Sequence, residues 1–201
     1  MTCGLIVDVS QFNGRIDYAR LAAAGVVAAY ERALVGFGTK DTALYEHANG
    51  FRSVGLPFGV YGDDFPRHAK PQDADRQADQ LADLSHEVGA TLVPMIDVEP
   101  EGVALVTGGE WAASVEAYVA GLERRFGRSP LAYTGPVFWS AFRELRSCAA
   151  ASRCLLWLAA YTDEMPLAPE PWTSVMFVFL WQAGYLCRKG PERDDDAVPR
   201  G

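Results

Sequence analysis

Positive charge is the first thing this chain is short of. Lys and Arg number 18 against 26 Asp and Glu, a formal net charge of -8 over 201 residues. A phosphate backbone is repelled by such a surface, and no Lys/Arg cluster forms a local exception, so nucleic acid is not an expected partner. Cysteine is scarce too: Cys3, Cys148, Cys154 and Cys187 contain no C-x-x-C pair, so zinc and redox chemistry have little support, and neither metal nor cofactor is expected. Cys148 and Cys154 are near enough in sequence for a local bridge, but free thiols are the expected state. No apolar run approaches the ~18–20 residues of a membrane-spanning helix, so no membrane insertion is expected. The opening Met1–Asp8 has no basic stretch ahead of its apolar residues and does not read as a signal peptide. Internal repeats and linkers are also missing, which leaves one domain over 1–201, with roughly 188–201 as an extended tail.

What the chain does have is core-forming material. Hydrophobic residues make up 49% and charged residues 22%, and a chain this long buries a full core without disulfides. Short apolar runs alternate with segments of helical spacing. Strands are expected at 4–8, 26–30, 58–61, 91–98 and 130–133, with helices at 15–25, 41–54, 71–88, 110–126 and 137–150. The rhythm then changes. Strands at 155–159 and 176–181 have no helical pattern between them, and Pro166, Pro169 and Pro171 argue for loop. Alternating βα units imply a mainly parallel sheet with right-handed crossovers. The expected fold is α/β, a single (β/α) barrel, with an open doubly wound sheet as the alternative.

Three carboxylates fall at strand ends. Asp8 ends Gly-Leu-Ile-Val-Asp, and Asp97 and Glu99 end Leu92-Val-Pro-Met-Ile-Asp-Val-Glu. The C-terminal ends of parallel barrel strands are where active sites are built. Asp97 and Glu99 share one face of their strand, with α-carbons roughly 6–7 Å apart. Two carboxyl groups so placed repel when both are ionised, which raises the pKa of one. One stays protonated as an acid while the other stays charged, the division of labour that glycosidic cleavage requires. Against this stands the plain reading that Asp-x-Glu arises by chance and that a strand-end Asp caps a turn.

The residues that carry a resemblance lie in order along nearly the whole chain. They are Asp8-Val-Ser-Gln-Phe-Asn-Gly-Arg-Ile-Asp-Tyr, Ala22-Ala-Ala-Gly-Val-Val-Ala-Ala-Tyr, Gly59-Val-Tyr, Pro94-Met-Ile-Asp-Val-Glu, Leu131-Ala-Tyr-Thr, Leu156-Trp-Leu-Ala-Ala-Tyr and Trp181-Gln182. Together they resemble the glycoside hydrolase family 25 lysozymes, the muramidases of phage, bacteria and fungi. The resemblance implies a flattened barrel of about five βα units followed by three strands lacking helices. It also implies cleavage of the β-1,4 bond between N-acetylmuramic acid and N-acetylglucosamine in peptidoglycan, with no obligate protein partner.

By the same resemblance Glu99 is the general acid, and Asp97 and Asp8 are its ionised partners. A further family aspartate falls in Asp194-Asp195-Asp196, where Asp195 keeps the usual spacing to the C-terminus. Tyr30, Tyr61, Tyr133, Trp157 and Trp181 lie on or at the ends of strands, where ring faces suit a sugar cleft; core packing is the alternative for each. Attack on the anomeric carbon by a carboxylate or by the substrate's own acetamido group is left open. The family's Tyr-His-Phe becomes Tyr61-Gly62-Asp63, and its Ile-Lys-Ala-Thr-Glu-Gly becomes Glu31-Arg32-Ala33-Leu34-Val35-Gly36. Those departures bear on substrate choice and turnover, and a non-catalytic wall-binding module is the second reading. With no signal peptide read at the N-terminus, action at the wall is expected to need release by lysis, another export route or a leader outside this sequence.

Overall fold

Eight strands and six helices account for the regular structure in a computed structural model that describes residues 4–63, 71–99, 106–160 and 166–179. The strands are β1 (Leu5–Val9), β2 (Val26–Val35), β3 (Thr39–Lys40), β4 (Phe58–Asp63), β5 (Met95–Val98), β6 (Leu131–Thr134), β7 (Leu155–Ala159) and β8 (Phe177–Phe179). The helices are α1 (Tyr18–Ala23), α2 (Leu44–Ser53), α3 (Pro71–Glu87), α4 (Gly108–Phe126), α5 (Pro136–Ala141) and α6 (Arg143–Arg146). Seven strands form one parallel sheet in the order β1-β2-β4-β5-β6-β7-β8, and β3 pairs antiparallel with β2.

Alternation along each strand sorts side chains onto two faces. One face packs under the helices: Val60, Ile96, Val98, Ala132, Leu156 and Leu158 meet Leu44, Phe51, Leu81, Trp111, Val115 and Leu122. The other face gathers Tyr30, Tyr61, Met95, Leu131, Tyr133, Trp157 and Ala159 into a separate inner cluster. Tyr30 of β2 and Trp157 of β7 touch with ring centroids 5.9 Å apart, although three strands stand between them in the sheet. In a flat sheet of ~4.8 Å strand spacing that gap is on the order of 19 Å. The sheet is therefore curled around this inner cluster, as a barrel fold requires.

Local chemistry sets the element ends. Thr107 and Glu110 cap α4 reciprocally, the Glu110 carboxylate accepting from the Thr107 backbone N–H at 2.8 Å. Gly127 closes the same helix in the left-handed conformation at φ 67°, which a side chain at this position would strain. Asp17 caps α1 by accepting from Arg20 N–H.

Several elements depart from the sequence expectation. The second strand runs to Val35, not Tyr30, because β3 folds back on it as a hairpin. Asp41 was expected to open a helix; instead it accepts hydrogen bonds from Arg32 Nε and from the backbone N–H groups of Gln11 and Ala43. The helix expected over 137–150 breaks at Phe142, whose backbone is extended while its ring packs on Phe138. Cys148 and Cys154 are both buried free thiols, so the local bridge does not form. No helix among the described residues is long and apolar enough to cross a membrane.

Candidate active site

Asp8 shares its strand face with Ile6, and Asp97 shares its face with Met95; Ile6 and Met95 both belong to the inner cluster. Both carboxylates therefore project to the inside of the curl, at the C-terminal end of the strands. Their meeting point is Tyr61. Its hydroxyl feels the negative charges of Asp8, Asp97 and Asp63, and burial together with these charges pushes its pKa far up. A phenol in that setting stays protonated and is available only as a donor to carboxylates around it. Burial also holds the Asp8 carboxyl above the usual range, partly offset by a hydrogen bond from its own backbone.

Glu99 follows β5 by one residue, on the same side as Asp97. Its Oε1 lies beside Gly135, 4.0 Å from where a Cβ there would sit, so it stands at the junction of β6 and α5. Among the described residues, no group of three His, Cys, Asp or Glu side chains is arranged to hold a metal.

The aromatic residues divide by depth. Tyr61 and Tyr133 stand next to Asp97 on the flanking strands, Tyr133 as its direct register partner. Tyr30 and Trp157 lie deeper. Tyr30 is 3% exposed and its hydroxyl donates to Val93 O at 3.0 Å, towards the opposite end of the barrel. Trp157 is 1% exposed and packs edge-on against both Tyr30 and Tyr133. Tyr61 and Tyr133 are buried as well, at 7% and 8% exposed, so all four rings contribute to packing of the inner cluster. Trp181 and Asp195 lie outside the described residues.

The structure adds a group that strand-end reasoning missed. Asp63 ends β4 and is the register partner of Asp97. Arg32 Nη1 lies 3.5 Å from Asp63 Oδ2, and its Nε donates to Asp41 Oδ2 at 2.9 Å. One buried cation thus stands between two carboxylates at the edge of the cluster. Alternation from Tyr61 would have found Asp63; nothing local marks Asp41, which reaches Arg32 from a loop.

Gly62 faces the helices, not the inner cluster, and a Cβ there would overlap the Tyr118 hydroxyl of α4. The family's Lys position is Arg32, still cationic and still paired.

Comparison with known proteins places the family and the fold. The sequence model of glycosyl hydrolases family 25 matches residues 7–183. A muramidase from Acremonium alcalophilum is similar in structure, with 24% identity, 94% of each chain covered and a TM-score of 0.78. A bacterial lysozyme from Streptomyces coelicolor has 21% identity, covering 88% of this chain and 82% of its own, with a TM-score of 0.76. The catalytic domain of endolysin ply40 from bacteriophage P40 of Listeria monocytogenes has 20% identity, covering 93% and 90%, with a TM-score of 0.68. At these identities the structural likeness speaks to the fold alone. No curated protein sequence matches. The sequence-model match spans most of the chain and includes every strand-end carboxylate described above, so this chain is a glycoside hydrolase belonging to family 25.

Proposed function

We propose that this glycoside hydrolase cleaves the β-1,4 bond between N-acetylmuramic acid and N-acetylglucosamine in bacterial peptidoglycan. The observation that carries the reading is the convergence of Asp8 and Asp97, from strands β1 and β5, around the Tyr61 hydroxyl. Family membership and the muramidases and lysozymes among similar folds support the substrate class. Glu99 is the general acid: it gives its proton to the glycosidic oxygen as the C1–O bond breaks. Positive charge then develops at C1 and the ring oxygen, and ionised Asp97 and Asp8 stabilise it. Water completes the hydrolysis at C1 and returns a proton to Glu99. Tyr61, whose buried neutral phenol lies in the field of Asp8 and Asp97, stands beside them, and Tyr133 lines the adjoining wall.

Clearing of purified cell walls, measured as loss of turbidity, tests the proposal with wild type and Glu99→Gln. General acid catalysis contributes about 10²–10⁴-fold, so the variant should clear at least about a hundredfold more slowly. Equal clearing by both overturns the role of Glu99. No clearing by wild type, with retained wall binding, leaves a wall-binding module instead.

A further inference from the structure

Phe12 is exposed where a core-forming residue gains nothing. It is 80% exposed, in a short 3-10 turn directly after β1, on the same face of the barrel as Asp8. The turn is nonetheless firmly mounted. Ser10 and Asn13 cap it reciprocally, with Asn13 Oδ1 accepting from Ser10 N–H at 2.8 Å. The Gln11 N–H donates to the Asp41 carboxylate, and Gln11 Oε1 accepts from the Thr42 hydroxyl at 2.8 Å. The ring itself rests on Arg32, whose guanidinium carbon lies 4.9 Å from the ring centroid. Arg32 cannot swing away, because Asp41 and Asp63 hold it from two sides. Its Nη2 is buried and has no hydrogen-bond acceptor among the described residues.

We infer that Phe12 is a stacking platform for an N-acetylhexosamine ring of the glycan strand, outside the bond that is cut. One face of its ring is covered by Arg32 and the other is open. A flat apolar face mounted in advance costs little entropy to use, and the cation beneath keeps it from folding into the core. Arg32, on which Phe12 rests, lies two strands from Asp97 in the sheet, on the order of 10 Å. That separation suits a neighbouring sugar of the same strand and not the sugar being cleaved.

The inference rests on the glycan reading above, and two measurements keep the two apart. On cell walls, Phe12→Ala should raise KM about fivefold to tenfold with a smaller change in kcat, and Phe12→Trp should restore KM. In the Glu99→Gln background, affinity for a soluble β-1,4-linked N-acetylglucosamine oligomer should fall by the same factor when Phe12→Ala is added. If Phe12 only shields Arg32, Phe12→Ala lowers Tm while KM and affinity stay put, and the platform is overturned. Phe12-dependent binding by a wild type that clears no walls overturns the enzyme reading and leaves the platform standing.

Discussion

Asp63 and Asp97 are direct neighbours across β4 and β5, two aspartates on one inner face with Arg32 3.5 Å from the first. Adjacent carboxylates of this kind favour holding a proton between them. Arg32 supplies a counter-charge on the Asp63 side, and the proposed mechanism gives Asp97 the charge and Glu99, two residues on, the proton. The site is thus an arrangement of like charges made tolerable by one buried cation and one protonated phenol.

Replacing that cation should be costly. Arg32→Met takes the shared cation from the buried Asp41 and Asp63 carboxylates. Breaking a buried pair from one side costs about 3–5 kcal/mol, so chemical denaturation should show a loss of that order. Arg32→Lys, which keeps the charge but not the fork, should lose less. A Met variant as stable as wild type would show that the network carries no stability.

Tyr61→Phe removes the one neutral donor among three carboxylates. Without the neutral O–H dipole in their field, the ionised forms of Asp8 and Asp97 are less well stabilised and their pKa values should rise. The acidic limb of the pH–rate profile should therefore move to higher pH, with kcat at neutral pH reduced about tenfold. An unmoved limb would place Tyr61 in packing alone.

Glu31 faces the helices, away from the site, where its carboxylate meets His47 Nδ1 at 2.5 Å. Burial, then the charge of Asp41, pushes its pKa up to about 9, opposed by Arg32. In the unfolded chain the same group ionises near the usual ~4.3. Between those values the native state binds the extra proton, so stability is highest below the unfolded pKa and declines as pH rises towards 9. Glu31→Gln cannot ionise. Its stability relative to wild type should improve steadily from pH 5 to pH 8, as thermal melts at several pH values would show. A constant difference across that range would contradict it.

Position 62 offers a packing test. Gly62→Ala pushes a methyl into the Tyr118 hydroxyl and should destabilise by about 1–3 kcal/mol. Adding Tyr118→Phe should recover part of that loss, giving a non-additive double-mutant cycle. Strict additivity would mean the two side chains do not compete for the same space.

Much of the scaffold was legible because period and position carry it. The apolar runs at 4–8, 58–61 and 155–159 became β1, β4 and β7 with ends shifted by no more than two residues. The helix over 71–88 became α3, whose apolar stripe of Ala74, Ala78, Leu81 and Leu84 is buried. The same alternation placed Asp97 on the inner face. It failed at 41, where Asp41 is taken by Arg32, and at 137–150, where Phe142 breaks the helix to pack its ring on Phe138. In both places a tertiary contact outweighed local preference.

The sequence by itself determined which residues are acidic at strand ends, the βα rhythm that makes the sheet parallel, and the ordered motifs of the family. Those are local properties, written in residue type and spacing. Only the tertiary structure decided which acids share a neighbourhood, that Tyr30 and Trp157 are interior packing, and that Phe12 stands open on Arg32. Curling the sheet brings strands that are far apart in its order into contact, and no local pattern along the chain encodes how far the curl goes.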